Sequence, residues 1–334
     1  MKKVALMLVV GAFLAFAASA QAQTNSQVIL YPYFVSNPGT VATIVTLVNT
    51  VNNTCNAHLR YYFKVYDNGE WEETCSEYDD NLTLTKWDMV SWDVSGHFGT
   101  GALFGDTNSP GTGQFDLEHL SGYSTGRGYL VVEADCVIDG EYTILEVVNG
   151  AAVGDRALLG RKSATSCAQT GVFSGLTKEA LDEGQQEVVT VLPSTDFTTK
   201  FIVTPLDDPS GTGATMCPNV NDYTATIRFV KPGTANEYGF CDRKEVCPSI
   251  GEDQTVTCVD VVTLEDLLGG VIPAWAQNGG WSLLRLSAVN NYDGDNVAGD
   301  DVNGDQATVF KIEYGTGFGG SMTNSWVNIN NHRL

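Results

Sequence analysis

The residues with the densest capacity for chemistry lie in one acidic stretch, residues 290–305, which reads NNYDGDNVAGDDVNGD. Asp293, Asp295, Asp300, Asp301, Asn303 and Asp305 place six oxygen-bearing side chains on a segment bent by glycines. A calcium ion takes about six to eight hard oxygen ligands, and without a cation such crowded carboxylates repel one another. Asp301, Asn303 and Asp305 are spaced like the start of an EF-hand loop, but Gln306 stands where that loop needs glycine and Ile312 where it needs the closing glutamate. The expectation is an irregular calcium loop, and the alternative is a solvated acidic turn.

Eight cysteines form the second set: Cys55, Cys75, Cys136, Cys167, Cys217, Cys241, Cys247 and Cys258. Zinc sites favour closely spaced cysteine pairs or nearby histidines. Here the nearest pair is Cys241 and Cys247, and the histidines are His58, His97, His119 and His332. An even count in an exported chain therefore points to four disulfides.

Three further patterns carry less. Residues 122–126 (GYSTG) match the nucleophile elbow by letter, but that motif needs a strand before it and a helix after it, and here a strand pattern follows at residues 129–134. Residues 315–320 (GTGFGG) match a dinucleotide fingerprint without the helix or the later acidic residue that it needs. Trp71, Trp87, Trp92, Trp275, Trp281 and Trp326 offer either a sugar-stacking platform or core packing, and most sit inside strand patterns, which favours the core. No residue is assigned a catalytic role.

The elements that must hold these residues are strands. In residues 57–65, Ala57, Leu59, Tyr61, Phe63 and Val65 alternate with His58, Arg60, Tyr62 and Lys64, the period of a strand with one buried face. Residues 223–229 (YTATIRF) repeat the pattern. Residues 41–48 (VATIVTLV) are apolar on both faces and predict a central strand, whereas Pro32 makes residues 27–35 an edge or bulged strand. Asp67-Asn68-Gly69 marks a hairpin. Short helices are expected at residues 177–183 (TKEALDE) and at TLEDLL, opened by Thr263 with Asp266 three residues on. The fold class is all-β: two β-sandwich domains, Ig-like or jelly-roll-like, with two short helices.

Residues 1–22 read as a signal peptide, with Lys2 and Lys3 before an apolar run and small residues at the cleavage region. The remainder divides into an N-terminal sandwich at 23–152, a linker with a short helix at 153–186, and a C-terminal sandwich at 187–334. No second apolar run approaches the ~20 residues of a transmembrane helix. The chain carries 18 basic and 40 acidic residues, a net charge of −22, which disfavours nucleic acid as a partner.

The second half echoes the first. Cys55, Arg60, Cys75 and Glu146 correspond to Cys217, Arg228, Cys241 and Glu313, each displaced by about 160–170 positions. This duplication predicts equivalent bridges Cys55–Cys75 and Cys217–Cys241, and leaves Cys247–Cys258 and Cys136–Cys167.

The runs ILYPYF, VTLVNT, LRYYF, LTLTKWDMVSW and GRGYLVVEAD, within residues 29–135, resemble exported bacterial β-proteins with a YPY-type first strand. The resemblance implies export and β-structure and supplies no functional residue. The resulting expectation is a secreted, cell-surface or periplasmic protein that binds or builds, a matrix, adhesive or filament component stabilised by calcium, with self-assembly or surface glycans and proteins as partners. The alternatives are an extracellular hydrolase or carbohydrate-binding module and an outer-membrane β-barrel. Residues 27–35 are expected either to exchange between chains or to close their own domain.

Overall fold

A computed structural model of the chain describes residues 26–37, 40–73, 75–95, 102–104, 125–146, 151–163, 172–174, 180–182, 185–206, 215–216, 224–287, 306–315 and 321–326. The first strands are β1 (Ser26–Ser36), β2 (Val41–Asn49), β3 (Cys55–Asp67), β4 (Glu70–Trp71), β5 (Ser76–Leu84), β6 (Met89–Asp93) and β7 (Ala102–Phe104). A 21-residue β8 (Gly126–Glu146) follows, then β9 (Ala151–Arg156), β10 (Leu158–Ser163), β11 (Val172–Ser174) and β12 (Ala180–Asp182). The second half holds β13 (Gln186–Val191), β14 (Phe197–Leu206), β15 (Thr215–Met216), β16 (Thr224–Val230), β17 (Cys241–Asp242), β18 (Gln254–Thr257) and β19 (Asp260–Thr263). The helix α1 (Leu264–Leu267), β20 (Gly280–Ser287), β21 (Gln306–Gly315) and β22 (Ser321–Trp326) complete it. All the named strand pairings are antiparallel, and among the described residues no sheet closes on itself.

One connection diagram describes both halves. In the first, β1, β8, β3 and β5 lie side by side; in the second, β13, β20, β16 and β18 do the same. The facing rows are β9, β8, β2 and β6 in the first half and β22, β21, β14 and β19 in the second. The difference is at β8, which serves both rows in one strand. Its register against β1 slips between Glu133 and Ile138, and there it passes from β1 and β3 to β2. In the second half that crossing is divided into β20 and β21, and the acidic residues 290–305 lie between them.

The second half does not stand apart as a separate sandwich. β14 and β21 turn Phe201, Val203, Ala307 and Val309 into one core, shared with Ile227, Phe229, Leu284 and Leu286. Their opposite faces send Ile202, Leu206, Phe310 and Ile312 into the core of the first half. A strand apolar on both faces belongs in the middle of a stack, because each face is removed from water by a different neighbour. The hydroxyl of Thr204 on β14 donates to the carbonyl of Pro32 on β1 at 2.6 Å, which fixes this contact.

Several local expectations survive and others do not. Asn68 (φ 50°) and Gly69 (φ 94°) form the two-residue turn joining β3 to β4, both with the positive φ that such a hairpin demands. Thr263 caps α1, with the Thr263 hydroxyl accepting from Asp266 N and the Asp266 carboxylate accepting from Thr263 N. β2 is a central strand between β6 and β8. Of the helix expected at 177–183, the described residues Ala180–Asp182 are instead β12, paired with β21, because completing a sheet edge outweighs the helix propensity of so few residues. The segment expected as a linker, 153–186, instead contributes strands to the sheets of both halves. β1 is bulged between Tyr31 and Phe34, around Pro32, yet it is no edge: Val28, Ile29 and Leu30 pair with β10 on one side and β8 on the other. In this structure β1 closes its own chain. β3 also departs from the one-sided pattern, since Tyr62 and Lys64 are buried on one face, where Lys64 meets Asp260 of the second half, while Tyr61 and Val65 are buried on the other.

The two rows of the second half are bolted by a buried ion pair. Lys311 Nζ lies 3.0 Å from Glu313 Oε2 and donates to the Thr190 carbonyl of β13 at 2.7 Å. Glu313 Oε1 accepts from Leu192 N at 2.7 Å and from the Thr199 hydroxyl at 3.2 Å. Removing one member of such a pair strands the other in a dry site, at a cost of about 3–5 kcal/mol. Glu313→Ala is therefore expected to lower the unfolding free energy by that amount in chemical denaturation, and Lys311→Met with Glu313→Leu to recover most of it. A loss below ~1 kcal/mol for Glu313→Ala would show that the pair does not hold β13 in place.

Candidate functional site

The junction between the halves gathers two buried cations, Lys64 and Arg127. Asp260, at the start of β19, pairs with Arg127 of β8 and stands 3.6 Å from Lys64 of β3, so one half-exposed carboxylate serves two buried cations. The guanidinium of Arg127 also lies 3.8 Å from the centre of the Trp71 ring. Burial holds the Arg127 pKa below its usual value, opposed by the Asp260 charge. Close by, Cys75 is bonded to Cys258 across the two halves. Lys64 and Arg127 are both engaged by Asp260, so the cluster acts as a clamp between the halves.

The cysteines pair by spatial neighbourhood and not by the sequence echo. Cys55 bonds Cys136, Cys75 bonds Cys258, and Cys241 bonds Cys247. The expected pairs Cys55–Cys75, Cys136–Cys167, Cys217–Cys241 and Cys247–Cys258 are thereby overturned. Cys136 sits where β8 crosses from one row to the other, beside the start of β3, and Cys258 occupies the turn with φ 68° between β18 and β19. Cys167 and Cys217 lie outside the described residues. Cys55, Asp135 and Cys136 come within metal-binding distance of one another, but both sulfurs are consumed in the bridge. The Asp135 carboxylate accepts from Asn56 N and Asn56 Nδ2, at 2.8 and 3.0 Å.

Two surface grooves remain. The smaller, of about 220 Å³, runs along the exposed end of β3 and is lined by Asn56, His58, Asn81, Glu133 and Asp135. Its polar groups face one another: His58 Nε2 is 3.0 Å from Asp79, and Arg60 reaches toward both Glu77 and Glu133. The larger groove, of about 500 Å³, lies on the outer face of β13 and β20. Trp281 forms part of it, set between Thr190 of β13 and Cys241 of β17 by the strand register. Val188, Leu192 and Pro193 line one side, and Thr190, Arg243 and Asn278 supply its polar groups.

Local sequence explains this groove. Gly279 has φ 80°, and a Cβ there would sit 2.6 Å from the Val191 carbonyl; one on Gly280 would run into the Cys241 carbonyl and the Phe240 ring. Two glycines thus let the chain approaching Trp281 lie against both flanking strands. Beyond Val191 the chain turns at Pro193, and Ser194 N donates to the Gln277 carbonyl at 2.9 Å, which closes the end.

Of the residues singled out by sequence, Asp293, Asp295, Asp300, Asp301, Asn303 and Asp305 lie outside the described residues, as do His97, His119 and His332. The tryptophans are dispersed: Trp92 is in the core, Trp71 faces Arg127, Trp275 meets Phe240 at 6.1 Å and Trp87 is exposed. Trp281 lines the groove; the side chain of Trp326 is not among those described. Sequence reasoning missed Arg243 and Asn278, whose signals were the cysteines six positions apart and the glycine pair before Trp281.

These features define an all-β protein of stacked antiparallel sheets, braced by disulfides of the kind that persist in oxidising compartments. Among the described residues no helix is long and apolar enough to cross a membrane. No protein-family model matches the chain, and no curated protein does. Among solved structures, a Thermotoga maritima protein aligns at 9% identity over 41% of this chain and 97% of its own, with a TM-score of 0.26. The tandem of two CBM22 domains from Paenibacillus barcinonensis Xyn10C aligns at 12% identity over 84% of this chain and 81% of its own, with a TM-score of 0.17.

Proposed function

We propose that the protein is exported and acts without catalysis, as a binding or building component of a cell surface or extracellular matrix. The observation that carries this is the composition of the larger groove: an indole, aliphatic walls, one guanidinium, one amide and the Thr190 hydroxyl, with no carboxylate, imidazole or thiol among its lining residues to serve as base or to activate that hydroxyl. Acid–base or nucleophilic hydrolysis needs such groups within reach of the substrate, whereas adhesion to an amphipathic surface needs only the shape and the aromatic face. The disulfides and the acidic surface suit an extracellular setting, where low-affinity, multivalent attachment is enough. The test is co-sedimentation of the purified mature chain with insoluble matrix polysaccharide while newly formed reducing ends are measured. Retention in the pellet without new ends is expected. New ends produced in proportion to protein would make it a hydrolase, and no retention on any surface tested would remove the adhesive reading.

Calcium belongs to the same proposal. The acidic residues 290–305 join the end of β20 to the start of β21, strands of two different sheets, so an ion held by Asp293, Asp295, Asp300, Asp301, Asn303 and Asp305 would tie the sheets together. Extracellular sites of this type bind at about 10⁻⁴ to 10⁻³ M, and millimolar calcium then stabilises the folded state by about 1–2 kcal/mol. The expected result is a melting temperature raised a few degrees by calcium and restored by chelator. A melting curve indifferent to both, with no calorimetric heat, would reduce the segment to a solvated turn.

A further inference from the structure

Trp281 lies on the outward face of β20, alternating with Ser282, Leu284 and Leu286, which point into the core. It takes no place in either hydrophobic core and remains partly exposed. Val188, beside it on β13, is 63% exposed, so an apolar strip continues from the indole to the sheet edge. Burying such a strip calls for a ligand with an apolar face, and the open groove calls for one that is hydrated on its other side. A pyranose ring has that shape: its C–H face stacks on an indole and its hydroxyls reach water and amides such as Asn278.

Arg243 decides which sugar. It stands on a loop drawn tight by the Cys241–Cys247 bridge, with Cα atoms 4.0 Å apart. Asp242, the adjacent acid, faces the loop backbone, where its Oδ1 accepts from Lys244 N at 2.8 Å and from Val246 N at 3.0 Å and holds the loop together. Arg243 is exposed and makes no ion pair among the described residues, in a chain with 18 basic and 40 acidic residues. A guanidinium at the mouth of an apolar groove matches a carboxylate, which it can grip through two parallel hydrogen bonds.

We propose that the groove formed by Trp281, Val188, Pro193, Asn278 and Arg243 binds a uronic-acid residue of an acidic polysaccharide, with the ring on Trp281 and the carboxylate on Arg243. This rests on the reading of the protein as a non-catalytic binder and names its ligand class.

The experiment is calorimetric titration of the mature chain with an oligogalacturonate and with the same oligosaccharide after reduction of its carboxyl groups. It is run near 0.15 M salt, where a Debye length of about 8 Å screens the distant acidic surface. The acidic form is expected to bind at least ten-fold more tightly than the reduced form. Arg243→Gln should abolish that preference, Trp281→Ala should weaken both ligands at least ten-fold, and Trp281→Phe should retain most binding. Circular dichroism and melting temperatures equal to the parent's show that the variants are folded. Equal affinity for the two forms, or binding unaffected by Trp281→Ala, overturns the assignment while leaving a binding protein. Shortened oligosaccharides in the cell would refute the non-catalytic reading instead and leave the ligand class standing. Concentration-dependent self-association, abolished by Trp281→Ala in the absence of glycan binding, would make the groove a contact between copies and overturn the proposal.

Discussion

Alkaline solution is expected to unfold this protein steeply, beginning just above pH 10. The core of the first half includes five tyrosines, Tyr31, Tyr33, Tyr61, Tyr62 and Tyr142, all nearly inaccessible to water. Burial disfavours the phenolate in each, which raises all five pKa values above the usual 10, that of Tyr33 to about 12 despite the opposing charge of Arg127. Below pH 10 folded and unfolded chains hold the same phenolic protons and the full stability is present. As pH rises past 10 the unfolded chain releases protons that the folded one retains, and stability falls by up to about 1.4 kcal/mol per pH unit for each tyrosine. Five together approach about 7 kcal/mol per unit, against a typical total of about 5–15 kcal/mol. Of the thirteen tyrosines, the exposed ones ionise without a change in fold, and the remaining tyrosinate absorbance should appear together with the loss of dichroism. Ionisation of all thirteen near pH 10 with unchanged dichroism would mean that the buried rings are open to solvent.

The second large effect is expected from removing the bridge between the halves. Cys75 and Cys258 are separated by 183 positions, and chain-entropy arguments assign the closure of so long a loop about 5 kcal/mol, against about 2 kcal/mol for Cys241 and Cys247, separated by 6. Replacing Cys75 and Cys258 together with serine should therefore cost more than opening the short loop. The buried contacts of Asp260 with Lys64 and Arg127, and the Thr204–Pro32 hydrogen bond, keep the halves docked in the variant, so one cooperative transition at lower denaturant is expected. An unchanged midpoint would show that the bridge contributes nothing beyond those contacts. Peptide mapping of the parent without reduction should recover the three bridges described.

How much of this was legible in sequence depends on the distance over which each feature is decided. The turn at Asn68 and Gly69, the capping box of Thr263 and Asp266, and the alternation through residues 57–65 are set by dihedral preferences and side chains within a few positions. Residues 41–48 could be read as a central strand because both faces are apolar, and oxidised cysteines followed from an even count in an exported chain. The candidate groove was half visible: Trp281 was noted among the tryptophans, but nothing adjacent in sequence says that Cys241 and Thr190 flank it.

Tertiary structure decided what depends on which strands become neighbours. Cysteine pairing failed as a sequence inference because a bridge joins whatever lies about 5.5 Å away, and the crossing of β8 between rows puts Cys136, and not Cys75, beside Cys55. Ala180–Asp182 became a strand because β21 offered an unpaired edge to a segment too short to hold a helix alone. His58, Arg60, Tyr62 and Lys64 were expected on a solvent face, and the second half covers the far end of that row. By itself the sequence determined the local geometry and the all-β class, since these follow from the period of apolar residues along the chain. The stacking of the halves, the bridges Cys55–Cys136 and Cys75–Cys258 and the Trp281 groove were settled by packing, because each brings together strands distant in the chain, 81 and 183 positions for the two bridges, and no local pattern encodes that choice.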